Sequence, residues 1–308
     1  MRRVSKEGSR EFRYSLVLFA TAVIWGVAFV AQRAGMDYVG AFTFNGVRFL
    51  LGALVLVPVC FFLEWRKERP EQLKKIRTSV SAGFIGGLVL FVAAGLQQLG
   101  VQLTMSAGKA GFITGLYIVL TPVLGIFIGK KTGVFTWAGA FVACAGLYLL
   151  SAPDGIKSVG AGDVLLVACA FFWAAHILLV DNYAGAGRIY PVMFSIVQFV
   201  VCGALSLAFA FALEDVALGA IFSGYVPILY SSVFSVGLAY TLQIVGQRHV
   251  GPAKAALIFS TESLFAAIGA AVLIGEIMGG RSYAGCAIIF AGIIVSQLRK
   301  KTPQGGAA

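Results

Sequence analysis

The chain has 308 residues, of which 59% are apolar and 12% charged, with a net charge of +11. A soluble domain is roughly 45–50% apolar and about a quarter charged, so this sequence lacks the charge to build a water-facing shell around so much apolar surface. Disorder, a secreted disulfide scaffold and a nucleic-acid binder are excluded, and a polytopic membrane protein is expected.

Crossing the hydrocarbon core takes about 20 apolar residues per helix. After a basic stretch (Arg2, Arg3, Lys6, Arg10, Arg13), span one is predicted over about 14–32 and carries Trp25. Its apolar run ends without a clear small-residue cleavage site, which predicts a retained helix rather than a signal peptide. Span two, about 43–63, carries Arg48 about a turn and a half inside, and a charged surface loop over 64–79 follows. Span three, about 80–101, holds Gln97 and Gln98, with Gln102 just beyond it. Span four, about 108–129, holds Tyr117, and Ala107, Gly111 and Gly115 form a small-residue stripe that lets helices approach closely. Span five, about 134–151, leads into a polar junction from Ala152 to Gly162. Span six, about 163–183, carries Trp173 and, one turn on, His176; span seven covers about 189–213. Span eight, about 225–246, carries Tyr240 and Gln243, with Gln247 next to its end. Span nine, about 253–274, holds Glu262, and span ten covers about 282–298. The five cysteines (Cys60, Cys144, Cys169, Cys202, Cys286) all fall in apolar runs, without CxxC spacing, and read as small core residues.

Charge orients the spans. The N-terminal tail, the 64–79 loop, Lys130, Lys131, Arg188, Arg248, Lys254, Arg299, Lys300 and Lys301 place nineteen Lys/Arg on one side. Arg33, Lys109, Lys157 and Arg281 are the four opposite. The positive-inside rule then puts both termini in the cytoplasm of a plasma (inner) membrane.

The chain also resembles itself. Trp25 and Trp173 stand mid-span in spans one and six, Glu64 and Glu214 end spans two and seven, and Lys109 and Lys254 open spans four and nine. Two five-helix repeats, 14–151 and 163–298, are expected. Because five is odd, the second copy starts from the opposite side, which predicts an inverted pair with a site near the midplane.

Four stretches carry a family resemblance: Ile24-Trp25-Gly26-Val27-Ala28-Phe29, Phe44-Asn45-Gly46-Val47-Arg48-Phe49, Ser106-Ala107-Gly108-Lys109-Ala110 and Pro252-Ala253-Lys254-Ala255-Ala256-Leu257-Ile258-Phe259. They resemble the EamA-type family of the drug/metabolite transporter superfamily over essentially the whole chain. The resemblance implies an all-α membrane fold of ten helices in two inverted repeats around a cavity. It also implies transport of small metabolites, often export of amino acids or related compounds. Where family members often carry Glu-Pro in span nine, this chain has Glu262-Ser263, and span four has Thr121-Pro122 without the acid.

Ionisable groups inside a membrane cost on the order of 3 kcal/mol each on insertion scales, so each asks for an explanation. Glu262 reads as a proton-accepting or cation-pairing group, or as a hydrogen-bonded tie between helices. Arg48 can hold a substrate carboxylate or bond a neighbouring carbonyl. Trp25 and Trp173 can wall a cavity or pack; His176 can gate or hydrogen-bond. Gln97, Gln98, Gln102, Gln243 and Gln247 either bond between helices or line a polar cavity, and Tyr117 and Tyr240 are further candidates. Interfacial snorkelling accounts for Lys109 and Lys254.

No GxSxG, Walker P-loop, paired aspartates or HExxH occurs, so no catalytic residue, cofactor or resident metal is expected. The reading is a secondary transporter of a small molecule, with protons as a coupling ion and the bilayer as solvent. The alternative is a membrane enzyme acting on a lipid-linked substrate.

Overall fold

The computed structural model describes residues 2–65, 71–130, 133–151, 159–276 and 279–297. Arg66, Lys67, Arg69, Lys131, Lys157, Arg299, Lys300, Lys301 and most of the 152–162 junction lie outside them. Every regular element among the described residues is helical. That is what hydrocarbon demands, because a helix satisfies its own backbone groups where no water can.

The main helices are α1 (Arg2–Gly35), α2 (Ala41–Cys60, continued by a π-helical turn Phe61–Trp65) and α3 (Glu71–Thr104). There follow α4 (Ala107–Phe127), α5 (Val134–Ser151), α6 (Ala161–Ala184) and α7 (Pro191–Leu213). A short turn of helix, Leu218–Ser223, precedes α8 (Tyr225–Gln247), α9 (Pro252–Ile274) and α10 (Gly280–Gln297). Eight of these, α1 to α4 and α6 to α9, are long and apolar enough to cross a membrane, whereas α5 and α10 hold shorter apolar stretches, Trp137–Gly146 and Tyr283–Gly292. The outward surface is apolar: Phe127 is 83% exposed, Val272 76%, Phe141 74% and Phe211 71%. In water such a surface would aggregate; against lipid it is matched.

Two expectations are corrected. The predicted 64–79 loop is mostly helix, because α3 begins at Glu71 and carries Lys74, Lys75 and Arg77 on its extension. Charge ended the apolar run there without ending the helix. The cysteines are not all core residues: Cys60, Cys169 and Cys202 are buried, but Cys144 is exposed and Cys286 half-buried. A lipid-facing position is as apolar as a core one, so a thiol sits at either without penalty.

Three helices are irregular. In α4 the chain tightens at Gly115–Leu116, and in α9 at Ser260–Thr261, where Thr261 N bonds Ile258 O and Ser263 N bonds Ser260 O. These three-residue bonds are a turn of 3₁₀ geometry. The α9 break needs no proline, since the Ser260 and Thr261 hydroxyls bond back to Leu257 O and Ile258 O and compete with the regular ladder. In α8, residues Ser231–Tyr240 are π-helical.

Packing follows matched pairs. α2 lies along α7, and α5 along α10; α3 packs on α6 and α7, while α8 packs on α1 and α2; α1 packs on α9, and α4 on α6. Exchanging the first five helices with the second five maps this set onto itself. Helix ends match too. Glu64, ending α2, accepts hydrogen bonds from Val192 N (3.0 Å) and Met193 N (2.9 Å) at the start of α7. Glu214, after α7, accepts them from Phe42 N and Thr43 N (both 2.8 Å) at the start of α2.

Contacts link the helix ends into two faces. On one, Lys254 pairs with Glu11, Arg10 donates to His249, Arg248 donates to Ile189 O and Tyr190 N donates to Ser79. On the other, Arg33 donates to Met105 O, Ala107 N to Glu276 and Lys109 pairs with Asp163. These are called below the Glu11 face and the Glu276 face.

Candidate functional site

Between the faces, six long helices and the broken α9 turn polar and aromatic groups toward a central cavity. From α1 come Trp25, Phe29 and Gln32, spaced along one helix face; Arg48 comes from α2 and Gln97 from α3. Thr114 and Tyr117 flank the α4 break, Trp173 and Ile177 come from α6, and Ser235, Tyr240 and Gln243 come from α8. Phe259 and Glu262 stand on either side of the α9 break, while Ser260 and Ser263 point behind it into an apolar pocket of about 350 Å³.

Tyr240 is the aromatic centre. Its ring lies 4.9 Å from Trp25, 6.0 Å from Trp173 in a stacked arrangement and 5.6 Å from Phe199. Trp25 is fixed by donating from Nε1 to Ser235 O at 3.2 Å, a carbonyl within the π-helical stretch. Irregular helix of this kind supplies acceptors that a regular helix keeps for itself.

Arg48 is 2% exposed. Its Nε donates to Asn45 Oδ1 at 2.9 Å, and Asn45 Nδ2 donates in turn to Ala94 O of α3, so the guanidinium is aimed by a chain of two bonds. The Phe49 ring lies 4.9 Å away and the Phe44 ring 5.4 Å, giving the cation two aromatic faces. No carboxylate among the described residues pairs with it, and its two terminal nitrogens make no hydrogen bond there.

Glu262 is 4% exposed and accepts one hydrogen bond, from the Tyr117 hydroxyl at 2.8 Å. Its second oxygen is without a partner among the described residues. Three more lining groups have unpartnered polar atoms: Gln32 Oε1, Trp173 Nε1 and Gln243 Oε1. Leaving such a group unpaired in the interior costs about 1–3 kcal/mol. Among the described residues the cavity therefore combines one cation without a carboxylate partner, one half-satisfied acid and three neutral groups with an unpartnered polar atom.

The cavity is small in this conformation. About 30 Å³ is open to the centre of a water molecule, and a water needs about 10–15 Å³ by that measure. Two or three waters fit; an amino acid does not.

Of the predicted residues, the structure brings Glu262, Arg48, Trp25, Trp173, Gln97, Gln243, Tyr117 and Tyr240 together around this cavity. Gln98 and His176 stand one layer behind. Gln98 Nε2 donates to Gln32 O at 3.1 Å, and His176 Nε2 is 2.9 Å from Gln198 Oε1. Gln32, Thr114, Ile177, Ser235, Phe29 and Phe259 were missed. The stripe Trp25–Phe29–Gln32 was legible at helical spacing once Trp25 had been chosen; nothing in the sequence marked Ser235. Lys109 and Lys254 each hold a carboxylate, with 25% and 39% of their side chains exposed. Among the described residues no group of three or more His, Cys, Asp or Glu is placed to hold a metal ion.

A helical bundle with an apolar outer surface and buried ionisable groups around a central cavity defines an integral membrane protein of the solute-transporter class. The model of the EamA-like transporter family matches residues 13–152 and again 160–298, so the chain belongs to that family. An uncharacterized transporter of Archaeoglobus fulgidus is 28% identical over 95% of this chain and 88% of its own. The uncharacterized inner membrane transporter YedA of Escherichia coli (strain K12) is 24% identical, over 90% and 87%. A protein of Salmonella typhimurium named a probable amino-acid metabolite efflux pump is 26% identical, over 89% and 91%. One solved crystal structure matches with a TM-score of 0.70 at 18% identity, covering 92% of this chain and 96% of that one, a likeness of fold alone.

Proposed function

We propose that the chain is a secondary transporter that exports a small zwitterionic metabolite, an amino acid or a close relative, by alternating access. In this reading all ten helices cross the membrane as two inverted five-helix repeats, with both termini in the cytoplasm. The matched packing pairs, the exchange between Glu64 and Glu214 and the twofold family match support the repeat; the nineteen-to-four charge bias supports the orientation.

The observation that carries the substrate class is the pairing of Arg48 with Glu262 in one cavity and with no ion bridge between them. Two buried, unneutralised ionisable groups cost several kcal/mol in a membrane. If they served packing, they would neutralise one another. Held apart, they complement a ligand with both charges: a carboxylate on Arg48 and Trp173 Nε1, an ammonium on Glu262 with Gln32 and Gln243 as further acceptors. Tyr240 and the two tryptophans form the apolar wall for a side chain. When the ligand leaves, Glu262 takes up a proton, which makes proton coupling the natural drive for export.

The test is counterflow in proteoliposomes loaded with single amino acids. Uptake of labelled solute without chemical conversion is expected for a subset of the panel. Absence of exchange for every zwitterion, with exchange of a purely anionic or neutral solute, would reject the substrate class.

A further inference from the structure

Lys109 opens α4 and Lys254 opens α9, the two helices that carry breaks beside the cavity. Each lysine reaches the opening helix of the other half, Lys109 at the first turn of α6 and Lys254 at the third turn of α1. Lys109 Nζ lies 2.7 Å from Asp163 Oδ1 at the start of α6, and Lys254 Nζ lies 2.8 Å from Glu11 Oε1 on α1. One pair sits at the Glu276 face and the other at the Glu11 face. A chain that needed only to anchor lysines at the interface would not require a carboxylate from the opposite half at both places.

The helices so tied are those that enclose the site. Tyr117 lies just past the α4 break and Glu262 just past the α9 break, and the two meet through one hydrogen bond. With both ion pairs made, the cavity admits only a few waters. For a solute to enter, helices around the cavity must separate, and the outer ends of α4 and α9 are held to their partner helices by these ion pairs.

We infer that Lys109–Asp163 and Lys254–Glu11 are the two latches of the transport cycle, the first parting when the cavity opens to the Glu276 face and the second when it opens to the Glu11 face. This rests on the transporter reading above. The latches are unequal. The Asp163 side chain is 4% exposed and also accepts from Gly160 N at 3.0 Å, whereas Lys254 and Glu11 are 39% and 36% exposed. Exposed pairs are weak and screened by salt. Of the two pairs, Lys254–Glu11 is therefore the more open to screening by salt.

The experiment needs no solute. Ser235→Cys, in a background with the five native cysteines replaced, reports the cavity to a membrane-impermeant thiol reagent added from either side of oriented vesicles. Lys109→Gln is expected to speed labelling from the Glu276 face roughly two- to fivefold, and Lys254→Gln to do so from the Glu11 face. Exchanging the charges, Lys254→Glu with Glu11→Lys, is expected to return the rate toward its starting value. Should either single variant fail to insert, Asp163→Asn and Glu11→Gln test the same pairs from the other partner. Equal effects on both faces, no effect, or loss of access that the exchange does not repair would overturn the inference. Because labelling is read without transport, the latches can stand where counterflow finds no solute and can fail where counterflow succeeds.

Discussion

Glu64 and Glu214 each cap the helix that the other one ends. The carboxylate that closes α2 receives the first free amides of α7, and the carboxylate that closes α7 receives those of α2, at opposite faces of the bundle. The first amides of a helix have no partner inside it, and the helix dipole favours a negative charge there. One exchange thus seals both ends of the α2–α7 contact.

Replacing either glutamate by glutamine keeps the shape and removes the charge. Glu64→Gln and Glu214→Gln are each expected to cost about 0.5–2 kcal/mol, the range of a lost helix cap. The effects should add in the double variant, since the sites share no partner. Thermal unfolding in detergent reads both points; a double variant no worse than either single one would mean the caps are not independent.

The small-residue contact between α5 and α10 sets their separation. A Cβ placed on Gly146 would stand 2.6 Å from Gly285 O and from Ile289 N, both backbone atoms that cannot step aside. Gly146→Leu is expected to lower stability by about 1–3 kcal/mol, as overpacking does. An unchanged unfolding midpoint would show that the helices part without cost.

His249 lies in the turn between α8 and α9, outside the spans. Burial lowers its basicity below the ordinary 6.5, and the Arg10 and Arg248 cations lower it further. The neutral ring accepts a hydrogen bond from Arg10 at 3.3 Å and lies 4.0 Å from the Tyr14 ring. A base depressed in the folded state binds fewer protons there than when unfolded, so its stabilisation is full above about pH 6.5 and is lost as pH falls through the lower folded value. The unfolding midpoint should therefore drop between pH 7 and pH 5, and His249→Gln should flatten the drop. A wild-type profile with the same slope as the variant would remove His249 from the account.

Much of this arrangement was legible in the sequence. The apolar runs located the eight helices long and apolar enough to cross a membrane, and Glu64 and Glu214 stood out as matched helix ends, because lipid permits few structures and charge few places. Local geometry was harder to read. The α9 break came from Ser260 and Thr261 rather than a proline, and no residue pattern announced the π-helical stretch of α8. Gln98 and His176 looked as suitable as Gln97 and Trp173, since helices buried on all sides have no polar face to orient them. Which side meets the cavity is decided by neighbouring helices.

The most direct test of the central claim uses three ligands of one skeleton: an α-amino acid found by counterflow, its analogue without the amino group, and its analogue without the carboxylate. Stabilisation of the purified protein by each reports binding. Arg48→Gln should weaken the amino acid and the carboxylate-only analogue by roughly 10- to 100-fold, the loss of a charged hydrogen-bonded contact, and spare the amine. Glu262→Gln should do the reverse. If both variants weaken all three ligands alike, or neither weakens any, Arg48 and Glu262 do not divide a zwitterion between them.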